Sequence, residues 1–179
     1  MHELESFRNY QRLIAEVDGL CRRIRQNLGK YIACKKGCAG NCCRLHISVF
    51  AIEAVAFAKA LHTLPPKDRH HLRQKARCAT TFGPCPLLEE GACLMYDSRA
   101  IICRTHGFPI LTTYRGHRSI GFCQKNFRNL PTISKEAVIE LAPLNNSLMA
   151  INRQFVSEFS NGFSTDDRVT IGEALLIDL

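Results

Sequence analysis

Cysteine is the residue type in this chain whose number and spacing could do chemistry. The chain has ten cysteines, and nine of them lie between Cys34 and Cys123. Four stand within ten residues, in a stretch that also holds two lysines and two glycines. Short loops that contain glycine let several sulfurs converge on one point, and thiolates are ligands for zinc and for iron–sulfur centres. The spacing therefore predicts a metal centre whose ligands are Cys34, Cys38, Cys42, Cys43, Cys85, Cys93, Cys103 and Cys123.

Core packing and a disulfide framework fit these cysteines less well than metal binding does. Free cysteines pack in cores as small hydrophobes, but core positions do not cluster beside residues such as Lys35 and Lys36. A disulfide framework needs an oxidising compartment, and the adjacent residues Cys42 and Cys43 cannot easily bridge each other. Metal binding is therefore the favoured interpretation.

Three further residues bear on the size of the ligand set. Cys21 falls on the apolar stripe of a predicted helix, so we expect it in the core. Cys78 lies seven residues before the second cysteine group and is a reserve ligand, although it also fits the apolar side of its helix. His106 follows the central motif, where a surface or hydrogen-bonding role fits better than replacement of one sulfur.

The spacing leaves the identity of the metal open between zinc and iron. Eight sulfurs would make two four-thiolate zinc sites, one bridged pair of metals, or iron–sulfur clusters with spare cysteines. The sequence has no zinc knuckle with two residues between paired cysteines, no bacterial ferredoxin run and no radical S-adenosylmethionine spacing. Adjacent side chains diverge, so the pair Cys42-Cys43 favours two neighbouring metals.

The combined motif resembles a known family. A Cys-rich loop ending in Cys-Cys, a helix, and then Cys-Pro-Leu-Leu…Cys-Leu-Met-Tyr-Asp-Ser-Arg…Cys-Arg is similar to the bacterial YkgJ-type cysteine-cluster family, described as a zinc- or iron-chelating domain with about eight cysteines. The match covers roughly residues 34–123. This chain has three residues between its leading cysteines where the family often has two. It has Arg99-Ala100 where the family tends to have Arg-Pro, and an insertion before Phe108-Pro109.

Three function classes follow from these observations. The favoured one is a metal-binding protein with a structural or redox role. The family is also similar to part of the longer bacterial flagellin lysine methylases, which implies an iron–sulfur-dependent modifying enzyme, methylase-like or an oxidoreductase. The third is a zinc-stabilised basic module that binds nucleic acid or an acidic partner. The residues give no phosphate loop, dinucleotide fingerprint or serine-hydrolase elbow, so no catalytic residue is assigned and enzyme activity stays open.

The net charge of +8 is concentrated near the proposed ligands. Residues 19–52 and 99–128 contain many cations and no acidic residue, which suits an anionic partner such as nucleic acid. Cations beside thiolates also offset their charge and lower their pKa, and we favour this second role. The cations are Arg22, Arg23, Arg25, Lys30, Lys35, Lys36 and Arg44 in the first stretch, and Arg99, Arg104, Arg115, Arg118, Lys125 and Arg128 in the second.

The sequence also predicts where the protein works. Its first residues are acidic and lack a hydrophobic run of signal-peptide length. No stretch approaches the roughly 18 apolar residues of a membrane span. We therefore expect a cytoplasmic protein with no membrane partner, in a compartment whose reducing conditions keep thiols available as ligands.

The elements that must position the cysteines are mostly helical. Residues 4–30 are predicted to form a long amphipathic helix that stops at Gly29, because apolar residues recur three and four apart on one stripe. That stripe consists of Phe7, Tyr10, Ile14, Val17, Cys21, Ile24 and Leu28. Between the cysteine groups we expect a helix at 48–61 capped by Ser48, then a basic helix at 67–79. His70 and His71 point about 100° apart on that helix and are expected on its solvated face.

The second half of the chain is predicted to contain shorter elements of secondary structure. Residues 98–103 form one or two helical turns, and 110–122 form a hairpin that turns at Arg115-Gly116 and returns Cys123 towards the other cysteines. Helices are expected near 133–144 and 143–160, and Thr165-Asp166-Asp167 is the predicted cap of a terminal segment.

These elements predict a mainly α fold. We expect a single helical domain over residues 1–179, with an irregular Cys-rich metal-binding centre at 34–123 and a small β-hairpin. Residues 1–30 and 132–179 would form the helical body around that centre.

Overall fold

The computed structural model of the chain describes residues 4–33, 43, 47–80, 83–159 and 162–179. Over these residues the fold is mainly α with small sheets, which confirms the predicted fold class. The helices are α1 (Glu5–Leu28), α2 (Ala51–His62), α3 (Pro66–Arg77), α4 (Ile101–Thr105), α5 (Leu141–Glu158) and α6 (Ile171–Leu176). The strands are β1 (Ser48–Phe50), β2 (Leu88–Glu89), β3 (Ala92–Cys93), β4 (Ile110–Tyr114), β5 (His117–Gly121), β6 (Ile139–Glu140) and β7 (Arg168–Thr170).

The amphipathic stripe of the N-terminus forms the buried face of α1, as predicted. This helix packs against α5, where the Phe7 ring meets the Phe155 ring edge-on at 5.5 Å. Removing such side chains from water stabilises the fold by about 2–3 kcal/mol each. The helix ends at Leu28 and continues as a 3-10 turn over Gly29–Tyr31. Its buried residues are Ser6, Phe7, Tyr10, Leu13, Val17, Cys21 and Ile24, with Ile14 and Leu28 only partly buried.

Helix α2 is buried on nearly all sides because it lies between two apolar clusters. Ile52 and Val55 belong to the cluster formed with α1 and α5. Phe57 and Leu61 belong to the cluster formed with α3 and α6. The two clusters place α2 at the centre of the fold.

The predicted start of this central helix at Ser48 is wrong. Residues 48–50 are extended as β1, and the helix begins at Ala51. The carboxylate of Glu53 accepts a hydrogen bond from the Phe50 amide at 3.2 Å, so a side chain inside the first turn caps the helix. Glu53 is 3% exposed, and its burial follows from this position between the two clusters.

The C-terminal end of the chain pairs with β1, which the sequence analysis did not predict. Strand β7 runs antiparallel to β1, with Ser48 opposite Thr170. The cap expected at Thr165-Asp166-Asp167 is wrong, because α6 is capped by Thr170. Its hydroxyl accepts from the Glu173 amide at 3.1 Å, and the Glu173 carboxylate accepts from the Thr170 amide at 2.8 Å.

The predicted hairpin is confirmed as β4 and β5. Arg115 and Gly116 both have positive φ, 48° and 80°, as a two-residue turn of this type requires. Strand β6 lies parallel to β4 and adds a third strand. The helix expected near 133–144 is therefore wrong: 135–137 is a 3-10 turn, 139–140 is β6, and α5 begins at Leu141.

None of the helices in the described ranges is both long and apolar enough to cross a membrane.

Candidate metal centre

The structure describes five of the eight proposed ligands. Each of these five cysteines is partly buried. They are Cys43, Cys85, Cys93, Cys103 and Cys123. The other three, Cys34, Cys38 and Cys42, lie outside the described residues.

The first and second cysteine groups meet through their backbones. The amide of Cys85 donates a hydrogen bond to the carbonyl oxygen of Cys43 at 2.8 Å. Backbone contact at this distance fixes the spacing of the two Cα atoms, whatever rotamers the side chains adopt. Residues far apart in the chain are thus brought together, as the metal-centre prediction requires.

A small hairpin relates Cys85 to Cys93. Strand β2 pairs with β3 so that Leu88 lies opposite Cys93, and the Leu88 amide donates to the Cys85 carbonyl at 2.9 Å. Glu90 and Gly91 turn the chain with φ values of 47° and 78°. Two-residue strands are weak by themselves. Their position depends on neighbouring apolar side chains that reach the core, of which Leu87 and Met95 are buried.

Cys103 lies in the first turn of α4, close to the other two thiols of this group. Burial raises its pKa to about 12, and the neighbouring thiols of Cys85 and Cys93 act in the same direction, as does Glu53. Arg99 opposes them and lowers the pKa. The thiols of Cys85 and Cys93 therefore each lie within electrostatic reach of Cys103. Within the described part of the chain, however, no three side chains of His, Cys, Asp or Glu are gathered as a metal site.

Cys123 is held beside the chain that leads into the first cysteine group. Buried Asn126 joins the two: its Oδ1 accepts from the Ala33 amide at 2.9 Å, and its Nδ2 donates to the Gly107 carbonyl at 2.7 Å. The Asn126 amide in turn donates to the Cys123 carbonyl at 2.8 Å. Residue 33, directly before Cys34, is therefore anchored near Cys123, while Cys43 is anchored at Cys85.

Arg104 organises the loop between Cys93 and Cys103 through backbone carbonyls. Its guanidinium is buried and donates to the Arg99 carbonyl at 2.7 Å, to the Asp97 carbonyl at 2.5 Å and to Asp18 Oδ2 at 2.7 Å. Charge-assisted bonds of this kind are stronger than neutral ones, and the planar fork of arginine suits three acceptors.

Arg99 contributes to the same loop in a second way. Its Nε donates to the Tyr96 carbonyl at 2.6 Å, and its guanidinium stacks over the Tyr96 ring at 3.5 Å. Because it also lowers the pKa of Cys103, it offsets charge at a proposed ligand. The two arginines that flank Cys103 therefore orient the loop and place positive charge beside it.

The remaining thiols and histidines separate into core and surface. Cys21 is 7% exposed, which confirms that it belongs to the core, and burial raises its pKa to about 11. Cys78 is exposed at the end of α3, so the expectation that it fits an apolar side is wrong. His70 and His71 are exposed as predicted, and His71 bonds Glu89 at 2.6 Å. His106 is half-buried at the end of α4.

Two buried polar residues that position the site were missed by the sequence analysis. Glu53 accepts from the Ile101 amide at 3.0 Å and so joins α2 to the start of α4, which carries Cys103. Asn126 positions Cys123 relative to Ala33. Glu53 follows the last strand residue by three, a spacing typical of helix starts, so the sequence contained a signal for it. Asn126 had none, because its two side-chain partners come from distant segments.

Comparison of the chain with protein-family models, with curated proteins and with solved structures gives no match. The resemblance to the YkgJ-type family stays a prediction that rests on the cysteine motif and its flanking residues.

Proposed function

We propose that the protein is a cytoplasmic metal-binding protein in which up to eight cysteine thiolates hold zinc or an iron–sulfur centre. The observation that carries this proposal is the 2.8 Å backbone hydrogen bond between Cys85 and Cys43, because it joins two cysteine groups that are remote in sequence. Cys93 and Cys103 belong to the same neighbourhood.

The chemistry of the donor set fits such a centre. Thiolates are the ligands of closed zinc sites and of iron–sulfur clusters, and four of them complete a tetrahedral shell. Cys43, Cys85, Cys93 and Cys103 would form one group. Cys123 would belong to a second group near residue 33. The described thiols do not complete either ligand set, and the proposal assigns the remaining ligands to Cys34, Cys38 and Cys42.

The protein's own residues would support ligation in two ways. Arg99 places a positive charge near Cys103, and Arg104 fixes the loop that precedes it. When bound, zinc supplies a structural cross-link, and an iron–sulfur centre adds electron transfer. A cross-link of this kind would stabilise the short β2–β3 hairpin, whose strands are otherwise two residues long.

Elemental analysis and a visible absorption spectrum of protein purified without oxygen test the proposal. Zinc gives a colourless protein, and an iron–sulfur centre gives a coloured one, which would favour the enzyme alternative. Cys85→Ser, Cys93→Ser, Cys103→Ser and Cys123→Ser should each lower the bound metal. Cys78→Ser is the matched control, since Cys78 is exposed and outside the proposed ligand set. Full metal content in most single variants of the eight proposed ligands would overturn the assignment.

A further inference from the structure

A cleft of about 420 Å³ lies between α1 and the chain segment 96–108. Four arginines line it, together with two aromatic rings. We propose that this cleft binds a small organic oxyanion, a ligand with phosphate or carboxylate groups, through Arg22, Arg25 and Arg99. The proposal goes beyond metal binding, and it requires no metal.

The charge of the cleft favours an anion. Two acidic residues, Asp18 and Asp97, stand against the four arginines, so its lining carries a net charge of 4 − 2 = +2. Arg104 neutralises the charge of Asp18 in an ion pair, with 2.7 Å between Arg104 Nη1 and Asp18 Oδ2. The ion pairs found among the described residues do not include Arg22, Arg25 or Arg99. The positive charge of these three side chains is therefore available to a ligand in the cleft.

Two of the arginines are held by stacking on aromatic rings. The Arg25 guanidinium lies over the Phe108 ring at 5.3 Å, and that of Arg99 lies over the Tyr96 ring at 3.5 Å. Stacking engages the face of a guanidinium, whereas carboxylates and phosphates bind its edge through paired N–H donors. An arginine fixed by a ring loses less rotamer entropy when it binds an oxyanion. Both walls of the cleft therefore present cations that are oriented before a ligand arrives.

The volume of the cleft and the position of its arginines define the ligand class. A volume of about 420 Å³ lies in the range of small-molecule sites, so a compact ligand fits better than a polymer. Arg22 and Arg25 come from α1, and Arg99 comes from the opposite wall. A ligand with two anionic groups, or one large phosphate ester, would contact both walls. The charge of Arg99 also lowers the pKa of Cys103, so the ligand would bind beside the proposed metal centre.

Isothermal titration calorimetry on the full chain tests this proposal with three probes: inorganic phosphate, pyrophosphate and citrate. Arg22→Gln and Arg25→Gln should each weaken binding by about tenfold or more, because each removes charge-assisted hydrogen bonds. Arg23→Gln is the matched control. It removes the same charge from the same helix, but Arg23 does not line the cleft. Binding by this control should stay within about twofold of the unmodified protein.

The outcomes distinguish a phosphate ligand from a carboxylate ligand, and they test the cleft independently of the proposed metal centre. Preference for pyrophosphate supports a phosphate ester, and preference for citrate supports a polycarboxylate. No binding of any probe at low ionic strength, or an equal loss in Arg23→Gln, overturns the proposal. Metal content measured on the same samples should be unchanged in Arg22→Gln and Arg25→Gln, because the proposal gives these two arginines to the cleft and not to the charge-offsetting role that the sequence analysis favours for them. A failed metal assignment would leave the cleft measurement intact, and the reverse also holds.

Discussion

The amide of Cys85 donates to the carbonyl oxygen of Cys43 at 2.8 Å, while the residue before the first cysteine group, Ala33, donates to Asn126. The chain thus enters that group beside Cys123 and leaves it beside Cys85. These two anchor points belong to different elements: the turn after β5 and the loop before β2. This arrangement supports the proposal of two neighbouring metal sites rather than one.

Asn126 should be essential to the first of these anchor points. Asn126→Ala removes the acceptor of the Ala33 amide and the shorter of the two hydrogen bonds to the Gly107 carbonyl, which keeps only the Cys123 amide at 3.5 Å. The expected cost is about 2–3 kcal/mol of the free energy of unfolding, because unsatisfied buried polar groups are expensive. Urea denaturation followed by circular dichroism measures it. Asn145→Ala, at an exposed position on α5, is the control and should stay within about 0.5 kcal/mol of the unmodified protein. Equal losses in the two variants would contradict the role given to Asn126.

Arg104 should not be replaceable by lysine. Its guanidinium serves two carbonyls and Asp18 at once, and an ammonium group on a flexible stem cannot reproduce that fork. Arg104→Lys and Arg104→Ala should both lose on the order of 3 kcal/mol of stability, reduced from the cost of a fully buried pair because Asp18 is partly exposed. Both should also retain less metal, although arginine binds none. Arg118→Lys, on the exposed strand β5, should change neither property.

Unchanged metal retention in Arg104→Ala would oppose this role of Arg104 in the loop. If the same variant then bound an anionic partner more weakly, the basic binding-module alternative would be favoured. Elemental analysis and a binding titration on one preparation decide between the two.

A carboxylate between the two long helices should make part of the stability acid-sensitive. Ser6 donates to Glu158 through its hydroxyl at 2.7 Å and its amide at 3.1 Å, which lowers the pKa of Glu158. The folded state therefore binds this proton less tightly than the unfolded state. The stabilisation is present above the ordinary glutamate pKa of about 4.3 and disappears as the pH falls through the lowered value. Glu158→Gln should be less stable than the unmodified protein at pH 7, and the difference should shrink below about pH 4.

Urea midpoints of the two proteins at several pH values provide the measurement. Glu140→Gln is the control for the loss of one negative charge, since Glu140 is exposed on β6. A gap between Glu158→Gln and the unmodified protein that stays constant down to pH 3 would show that the carboxylate does not act through its charge.

Local signals in the sequence were enough to predict several elements. The stripe of α1 follows from spacing alone, since a helix of this length must bury one face. The hairpin of β4 and β5 follows from Arg115-Gly116 between residues suited to strands. The capping box of α6 also has a local signal, because Thr170 and Glu173 have the required spacing, although the sequence analysis predicts the cap at Thr165-Asp166-Asp167.

The missed features depend on partners that are distant in the chain. β1 and β7 are three residues each and gain their geometry only by pairing across the fold. β6 is two residues long and lies parallel to β4, which no local pattern indicates. The same holds for Asn152, a buried residue whose amide joins the start of α2 to the Thr165 carbonyl. In the candidate site, cysteine types and spacing predicted which residues matter, whereas Asn126 could be identified only from the fold.

Removal of the metal should loosen the cysteine segments but leave the helical body folded. Helices α1, α2 and α5 share one buried apolar cluster, and α3 and α6 share the other with α2, so we expect them to stay folded without the metal. The hairpin of β2 and β3 reaches the core only through a few side chains, including Leu87 and Met95. Metal ligation is itself folding free energy, on the order of 10 kcal/mol per zinc site in small modules, part of which orders the loops. Treatment with a strong chelator should therefore preserve most of the far-ultraviolet helical signal.

Limited proteolysis should then show where order is lost. Segments 30–43 and 82–103 should become sensitive to proteases. Each segment contains a site that can be tested with its own protease. Trypsin would cut after Lys35 or Lys36, and a glutamate-specific protease would cut after Glu89 or Glu90. Mass spectrometry of the fragments locates the cuts, and the metal-loaded protein is the control. If both segments stay protected after complete removal of metal, contacts within the protein alone are enough to hold them. The clustering of the cysteines would in that case have a cause unrelated to metal binding.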